Sequence, residues 1–350
     1  MKRRKEIEKL KETENLNRQE WVRLLSDFDA EDVAYAAELA RKIANQYFGN
    51  RIYIRGLIEF TSYCKNNCYY CGLRCENDKA ERYRLSEDEI LACCDTGYEL
   101  GFRTFVLQGG EDAYYTDERV VSLVRKIKEK FSDCAVTLSI GEKEEQSYRR
   151  FHEAGADRYL LRHETADAVH YRMLHPQELS LEHRMECLLQ LKEIGYQTGC
   201  GFMVGSPGQT PETLAEDMLF IRHFHPQMVG IGPFLPHKDT PFGTKKQGSY
   251  ELTLFLLSLI RIMEKNVLLP ATTALGTIHP NGREAGILAG ANVVMPNLSP
   301  LSVRKKYLLY DNKICTGDEA AESVRHLAKR MESIGYEIVC DRGDWEERSI

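Results

Sequence analysis

Three cysteines follow the first predicted strand within one short loop. Cys64, Cys68 and Cys71 form a Cys-x3-Cys-x2-Cys pattern. Three thiolates at this spacing can hold three irons of a 4Fe-4S cube and leave the fourth iron without a protein ligand. An open coordination position is what separates catalytic from structural metal sites, because a small molecule can bind there. The loop therefore predicts a metal centre that acts on a bound molecule.

A zinc site is the alternative interpretation of this loop, with Cys75 as the fourth ligand. Structural zinc sites usually pair two Cys-x2-Cys arms across a longer loop. Four thiolates crowded on one loop would have difficulty in forming a tetrahedron. The pattern thus favours the iron-sulfur cluster over zinc.

A Gly-Gly turn follows the second predicted strand, directly after Gln108. Gly109 and Gly110 have no Cβ atom, so the backbone there can approach a ligand closely. Glu111 follows them with a carboxylate. Glycine turns after strands are common. The Gly109–Gly110 turn becomes a candidate ligand contact because it follows the strand after the cysteine loop.

Two arginines and a glutamate are candidates for binding charged groups. Arg162 and Glu164 follow the fourth predicted strand, and barrel enzymes build their active sites at such strand ends. Arg184 lies near the start of a predicted helix, where it could donate two hydrogen bonds to a carboxylate. The structural alternatives are an Arg162–Glu164 ion pair that only closes the barrel and an Arg184 in solvent.

Threonines and glycines follow the later strands. Thr272 and Thr273 come after the seventh predicted strand. Hydroxyl groups and exposed backbone amides at a barrel mouth suit a small anionic or cyanide-bearing ligand. Ordinary turn geometry explains the glycines equally well.

Eight short apolar runs alternate with polar helical stretches from residue 51 onward. Continuous apolar runs suit parallel strands that are covered on both faces. Eight strand–helix units over roughly 250 residues predict an α/β fold of the (β/α)8 TIM-barrel type, although an open doubly wound sheet fits part of the pattern. The runs are 52–60, 104–107, 135–140, 159–161, 199–204, 228–231, 268–272 and 292–295.

The chain is predicted to have three regions. Residues 1–50 form N-terminal helices, one of them capped by Asp29. Residues 51–300 form the barrel. Residues 301–350 form a charged helical tail, with its helix at 319–334, that packs on the outside of the barrel.

Composition narrows the functional class. A chain of 350 residues with 43% hydrophobic residues can bury one large core without disulfides. Its 47 basic and 53 acidic residues provide no basic surplus for binding the phosphates of a nucleic acid. The longest apolar run, 252–260, is too short to span a membrane, and no apolar stretch follows the basic N-terminus. We therefore expect a cytoplasmic enzyme without nucleic-acid or membrane partners.

The cysteine loop, with Tyr70 directly before its last cysteine, resembles the signature of the radical S-adenosylmethionine (SAM) superfamily. In that family the open iron chelates the amino and carboxylate groups of SAM, and an electron from the cluster splits SAM into methionine and a 5′-deoxyadenosyl radical. The resemblance implies one 4Fe-4S cluster and SAM as cofactors. The SAM contacts that it implies are Tyr70, Gly109, Gly110, Glu111, Glu164 and Arg184.

Longer segments between residues 30 and 310 are similar to one branch of the superfamily, the HydE-type maturases of FeFe-hydrogenase. The most specific is PATTALGTIHPNGREAGILAGANVVMPN, at residues 270–297. This similarity implies chemistry on a cysteine-bound iron carbonyl cyanide complex from a partner maturase, with a flavodoxin or ferredoxin as electron donor. Matching substrate positions are Gln108, Arg162, Thr272, Thr273 and Met295, and Tyr307 or Tyr310 would shut water out of the barrel mouth.

Departures from this family keep other interpretations open. Some HydE-type proteins carry a second cluster on C-terminal cysteines, but only Cys315 stands in the matching segment, so we expect a single cluster. The loop 63–77 also resembles methylornithine synthase, a relative that isomerises lysine; biotin synthase is more distant. An iron-sulfur electron carrier or metal-binding barrel that does not use SAM is the alternative from another functional class.

Overall fold

The computed structural model describes residues 2–314 and 320–347 and begins with three helices. The second and third helices each start with a capping box. The Asn17 side chain accepts a hydrogen bond from the Glu20 N–H, and Asp29 accepts one from the Asp32 N–H. Such boxes satisfy backbone donors that the first turn of a helix leaves unpaired. The predicted cap at Asp29 is confirmed.

Strands and helices alternate after these three helices. The helices are α1 (Arg4–Thr13), α2 (Arg18–Ser26), α3 (Ala30–Phe48), α4 (Glu87–Glu99), α5 (Asp117–Lys130), α6 (Glu145–Glu153), α7 (Ala168–Leu174), α8 (Leu181–Ile194), α9 (Pro211–Phe224), α10 (Tyr250–Met263), α11 (Thr273–Ile278), α12 (Gly282–Leu288), α13 (Leu301–Arg304) and α14 (Ala320–Glu332). The strands are β1 (Arg51–Ile54), β2 (Gly56–Thr61), β3 (Thr104–Gly109), β4 (Ala135–Ser139), β5 (Arg158–Leu160), β6 (Gln197–Cys200), β7 (Met203–Val204), β8 (Met228–Val229), β9 (Gly232–Pro233), β10 (Val293–Val294) and β11 (Glu337–Val339).

Six strands form one parallel sheet in the order β2, β3, β4, β5, β6 and β8. Single parallel bridges extend it in both directions; they join Met228 to Leu268, Pro270 to Val293 and Asn297 to Leu57. The strand positions therefore follow one another around a ring. The predicted α/β fold of the TIM-barrel type is confirmed.

The predicted strand 268–272 exists only as two of these bridges. The side chain of Thr272 accepts a hydrogen bond from the Leu275 N–H and so caps α11. Pro270, two residues earlier, has no N–H to donate to a ladder. The chain turns into a helix before a regular strand can form.

The C-terminal residues add a strand that the sequence pattern does not predict. β11 pairs in parallel with β1. Beyond it, Arg158 at the start of β5 donates hydrogen bonds to the Arg342 carbonyl (2.9 Å) and to Asp344 Oδ1 (2.5 Å). This segment therefore covers the barrel at the end where the strands begin, opposite the mouth.

One cluster of buried apolar side chains includes Ile7 and Leu10 of α1, the residues between the sheet and its helices, and Leu327 of α14. The helices at both ends of the chain thus share a core with the barrel. In the part of the chain that the structure describes, no helix is long and apolar enough to cross a membrane.

Candidate active site

The three predicted cluster cysteines lie at a cavity in the barrel mouth. Cys64, Cys68 and Cys71 are half-buried on the loop after β2, and all three line a cavity of about 310 Å³. Burial raises the pKa of the Cys71 thiol to about 12. A thiol with such a pKa keeps its proton in neutral water, so a bound metal must displace that proton.

Cys75, the fourth ligand of the zinc alternative, is placed differently. It is exposed, and its Sγ donates a hydrogen bond to Asn67 Oδ1 at 3.2 Å. Unlike the other three cysteines of the loop, Cys75 does not line the cavity. This placement favours a centre held by three cysteines over a zinc site with Cys75 as the fourth ligand. Cys315 lies outside the described residues.

The Gly-Gly-Glu turn after β3 packs directly against the cysteine loop. A Cβ atom on Gly110 would lie 2.2 Å from the Tyr63 carbonyl oxygen and 2.7 Å from Cys64 Cβ, so only glycine allows this approach. Asp112 holds the turn in place, because its Oδ2 accepts a hydrogen bond from Thr61 Oγ1 at 2.7 Å. Thr61 ends β2, so this bond ties the turn to the strand that carries the cysteines.

Glu111 lines the cavity with one carboxylate oxygen that lacks a hydrogen bond. Its Oε1 accepts one from the Glu142 N–H (3.1 Å), whereas its buried Oε2 accepts none among the described residues. Lys65 Nζ lies 3.2 Å from Oε2, but its side chain is 65% exposed, so solvent screens the pair. Gly141, at φ +79°, leaves the space that the Glu111 side chain fills. The buried oxygen suits a cationic group of a ligand.

Arg162 and Glu164 lie side by side in the cavity wall. Arg162 Nη2 is 3.1 Å from Glu164 Oε2 without hydrogen-bond geometry. These two atoms and Arg162 Nε are buried and make no hydrogen bond to any described residue. Glu164 also has a φ of +64°, a conformation that costs about 1–3 kcal/mol for a residue with a side chain. Backbone strain and buried charged atoms without hydrogen bonds at one place favour a ligand site over an ion pair that only closes the barrel.

Arg184 is buried in the cavity wall and is not a solvated helix residue. Its Nε donates to Glu142 Oε1 (2.5 Å), and its Nη1 donates to the Arg162 carbonyl oxygen (2.6 Å). Glu142 thus positions Arg184, and the sequence analysis missed it. The available signal was its place after the predicted strand 135–140, because barrel sites collect side chains from the loops that follow strands.

Tyr70 lines the cavity and is held by His175. His175 Nδ1 lies 3.0 Å from the Tyr171 carbonyl oxygen, which can only accept, so we assign the ring proton to Nδ1. His175 Nε2 then accepts a hydrogen bond from the Tyr70 hydroxyl at 3.1 Å. Burial lowers the pKa of His175 to about 3, so the ring is neutral near pH 7. The Tyr70 ring therefore has a fixed orientation next to Cys71.

Most of the predicted site residues line this one cavity. Thr273 and Met295 do not line it. Thr273 begins α11, and Met295 packs against the buried apolar cluster of Met228 and Val293. The predicted residues that line the cavity are Cys64, Cys68, Tyr70, Cys71, Gln108, Gly109, Gly110, Glu111, Arg162, Glu164, Arg184, Thr272, Tyr307 and Tyr310.

Further buried polar side chains lie outside this cavity, toward the end of the barrel where the strands begin. Arg55 precedes β2, and Thr137 is in β4. Arg55 Nε and Nη2 and the Thr137 hydroxyl are buried and have no hydrogen-bond partner among the described residues. Burial lowers the pKa of Arg55 well below its usual value. A charged residue inside the apolar run 52–60 was the signal that could have identified Arg55.

Known proteins have sequences similar to this chain. The radical SAM superfamily model matches residues 58–221. The chain is 46% identical over 298 residues to the [FeFe] hydrogenase maturase subunit HydE of Thermotoga maritima, and the match covers 85% of each chain. The chain belongs to the radical SAM superfamily, as a HydE-like member.

This HydE-like chain is also similar to a second kind of radical SAM protein. It is 31% identical over 316 residues to 3-methylornithine synthase of Methanosarcina acetivorans, a match that covers 90% of this chain and 88% of the relative. The crystal structure of a methylornithine synthase superposes with a TM-score of 0.84 at 29% identity and covers 95% of this chain and 97% of that chain. The protein is a radical SAM enzyme whose cofactors are a 4Fe-4S cluster and SAM.

The cavity residues fit these two cofactors. The cysteine loop offers three thiolates, which match three irons of one cluster. SAM carries an ammonium and a carboxylate, and the cavity wall carries both kinds of partner. Buried oxygens of Glu111 and Glu164 suit the ammonium, and the buried guanidinium group of Arg184 suits the carboxylate.

Proposed function

We propose that this HydE-like enzyme acts on a cysteine-bound iron carbonyl cyanide complex, on the way to the diiron site of FeFe-hydrogenase. The observation that carries the proposal is Arg162 in the cavity wall, whose buried Nε makes no hydrogen bond to any described residue. Cyanide, carbonyl and carboxylate groups accept hydrogen bonds, and an anionic complex in the cavity would satisfy this donor. The 46% identity to a hydrogenase maturase subunit supports the same substrate class.

The cofactors are assigned to the residues around the cysteine loop. Cys64, Cys68 and Cys71 would hold the cluster, which, when bound, supplies the electron for reductive cleavage of SAM. Glu111 and Glu164 would bind the amino group of SAM. The carboxylate of SAM is assigned to Arg184, which Glu142 orients. Tyr70, Gly109 and Gly110 would complete the contact surface.

The substrate is assigned to the remaining cavity wall, formed by Gln108, Arg162 and Thr272. Thr273 and Met295 match substrate positions of the family and stay in the proposal as residues behind that wall. Tyr307, which is 2% exposed, and Tyr310 would close the mouth. Exclusion of water matters here, because a carbon radical attacks whatever it meets.

Two further assignments concern partners and location. A partner maturase would supply the iron complex, and a flavodoxin or ferredoxin would reduce the cluster. The similarity to a maturase subunit supports a multi-protein process. A cytoplasmic location is proposed because the eleven cysteines suit a reducing compartment.

A second candidate is a lysine mutase of the methylornithine synthase type. The 31% identity and the TM-score of 0.84 favour it. A lysine substrate would place an ammonium in the barrel and would need a carboxylate there. The buried Nε of Arg162 in the cavity wall, which has no hydrogen-bond partner among the described residues, favours an anionic ligand, so the iron complex remains the first choice.

The two candidates give different products in one assay. The reduced enzyme, with SAM and no oxygen, is incubated with a synthetic cysteine-ligated iron dicarbonyl cyanide complex, and in parallel with lysine. We expect consumption of the iron complex, an adenosylated product and unchanged lysine. Methylornithine from lysine, without any adenosylated product from the iron complex, would transfer the assignment to the second candidate.

A further inference from the structure

A carboxylate is buried in the same layer of the barrel as the substrate cavity. Glu59 of β2 lies opposite Gln108 of β3 in the strand register, and its side chain is 1% exposed. Its Oε2 accepts a hydrogen bond from Asn297 Nδ2 at 2.8 Å. An acidic side chain next to a cavity-lining residue would normally attract a cationic substrate.

Glu59 forms an ion pair with a lysine of the same chain. Lys313 reaches in from the segment 307–314, here called the strap, and its Nζ donates a hydrogen bond to Glu59 Oε1. The same Nζ donates to the Tyr307 carbonyl oxygen at 3.0 Å and lies 4.9 Å from the centre of the Tyr307 ring. The Lys313 side chain is 7% exposed, and among the described residues Glu59 forms no other ion pair.

The strap is joined to the cavity wall at several points. The Tyr307 hydroxyl accepts a hydrogen bond from Gln108 Nε2 at 3.3 Å. The Leu309 carbonyl oxygen accepts one from the Gly72 N–H on the cysteine loop at 2.9 Å. The Lys313 ammonium therefore anchors a segment that lines the cavity through Tyr307 and Leu309.

We infer that Lys313 is a specificity-determining residue, a built-in counter-ion that occupies the place of a substrate ammonium beside Glu59. With Glu59 neutralised, the cavity wall beside Gln108 no longer attracts a cation, and the carboxylates of Glu111 and Glu164 are left for the amino group of SAM. The inference rests on the proposed function, because it explains how a barrel shared with a lysine-using relative accepts an anionic iron complex. Without Lys313, Glu59 would repel that complex and attract an alkyl ammonium ion.

Lys313→Ala tests this inference, because it removes the Cγ, Cδ, Cε and Nζ atoms, the equivalent of one propylammonium ion. In the iron-loaded enzyme we expect KM for the iron complex to rise roughly tenfold or more, since like charges oppose binding. Added propylammonium should lower that KM again. The turnover number should change much less than KM, both on substitution and on addition of propylammonium. Lys306→Ala is the matched control, because Lys306 pairs with Glu81 at the surface; it should not respond to propylammonium.

A second variant keeps the test decisive if Lys313→Ala loses its fold or its iron. The double variant Glu59→Gln, Lys313→Ala leaves no unpaired charge at position 59, so it should fold, hold iron and not respond to propylammonium. A Lys313→Ala enzyme with normal iron content and normal KM would overturn the inference. So would a raised KM that propylammonium does not lower, or a double variant as damaged as the single one.

Failure of the proposed function can be distinguished from failure of the counter-ion assignment. If the wild-type enzyme does not consume the iron complex, calorimetry of propylammonium binding still compares the wild type with Lys313→Ala. Binding to the variant alone would uphold the counter-ion assignment and refute only the substrate. Absence of binding to both proteins would overturn the counter-ion assignment itself.

Discussion

Gly110 and Tyr63 meet backbone to backbone, where the turn after β3 touches the cysteine loop. A Cβ atom on Gly110 would fall 2.2 Å from the Tyr63 carbonyl oxygen. Because the obstacle is backbone and not a flexible side chain, a larger residue must displace the loop. The position of the cysteine loop therefore depends on a residue in a different strand–helix unit.

We expect Gly110→Ala to lower the iron content after anaerobic reconstitution, because forcing extra atoms into a packed site costs about 1–3 kcal/mol. Gly230→Ala is the matched control, since the nearest atoms to a Cβ there lie 3.9 Å away. Equal iron content in the two variants would show that the turn does not support the loop.

Arg184→Ala and Glu164→Ala should each weaken SAM binding to the iron-loaded enzyme by about 1–3 kcal/mol, the cost of losing a hydrogen bond to a charged group. Calorimetry measures the affinity, and the iron content should not change. Arg330→Ala provides the control, because Arg330 pairs with Glu284 outside the cavity. Unchanged SAM affinity in both test variants would mean that the contacts are assigned to the wrong side chains.

The parts of the site that could be predicted are those whose chemistry is local in the chain. The cysteine spacing lies within one loop, and the Gly-Gly pair directly follows a strand. The pair of Arg184 and Glu142 could not be predicted, because the two residues are 42 positions apart. Their contact depends on how α8 packs over the loop after β4.

The same distinction holds for the fold. Short, mainly apolar runs such as 52–60 and 104–107 indicated strands, because burial on both faces favours apolar side chains. β11 escaped prediction because it has only three residues, all of them partly or well exposed. Its pairing with β1 joins chain segments that are almost 300 residues apart, a relationship that no local pattern encodes.

Because His175 is buried in its neutral form, we expect the free energy of unfolding to fall in acid. Burial lowers the pKa of His175 from 6.5 to about 3. Below about pH 6.5 the His175 ring therefore binds a proton in the unfolded chain but not in the folded protein. The stabilisation is complete above that pH and is lost as the pH falls, by about 1.4 kcal/mol per pH unit.

The free energy of unfolding in urea, measured near pH 7 and near pH 5.5, checks this. The wild type should lose about 1 kcal/mol more over this range than His175→Gln, which has no ring to protonate. Parallel pH profiles of the two proteins would contradict the assignment of a neutral, buried His175.

The most direct test of a radical SAM centre on the Cys64–Cys71 loop is the amount of 5′-deoxyadenosine formed anaerobically under a strong reductant. The reconstituted wild type should hold about four irons per chain and form 5′-deoxyadenosine from SAM. Cys75→Ser, which replaces the exposed neighbouring thiol, should do the same, and replacement of Cys64, Cys68 or Cys71 by serine should abolish the product. An iron-loaded wild type that forms no 5′-deoxyadenosine, or a Cys75→Ser variant that loses the metal while the wild type holds zinc, would contradict the account.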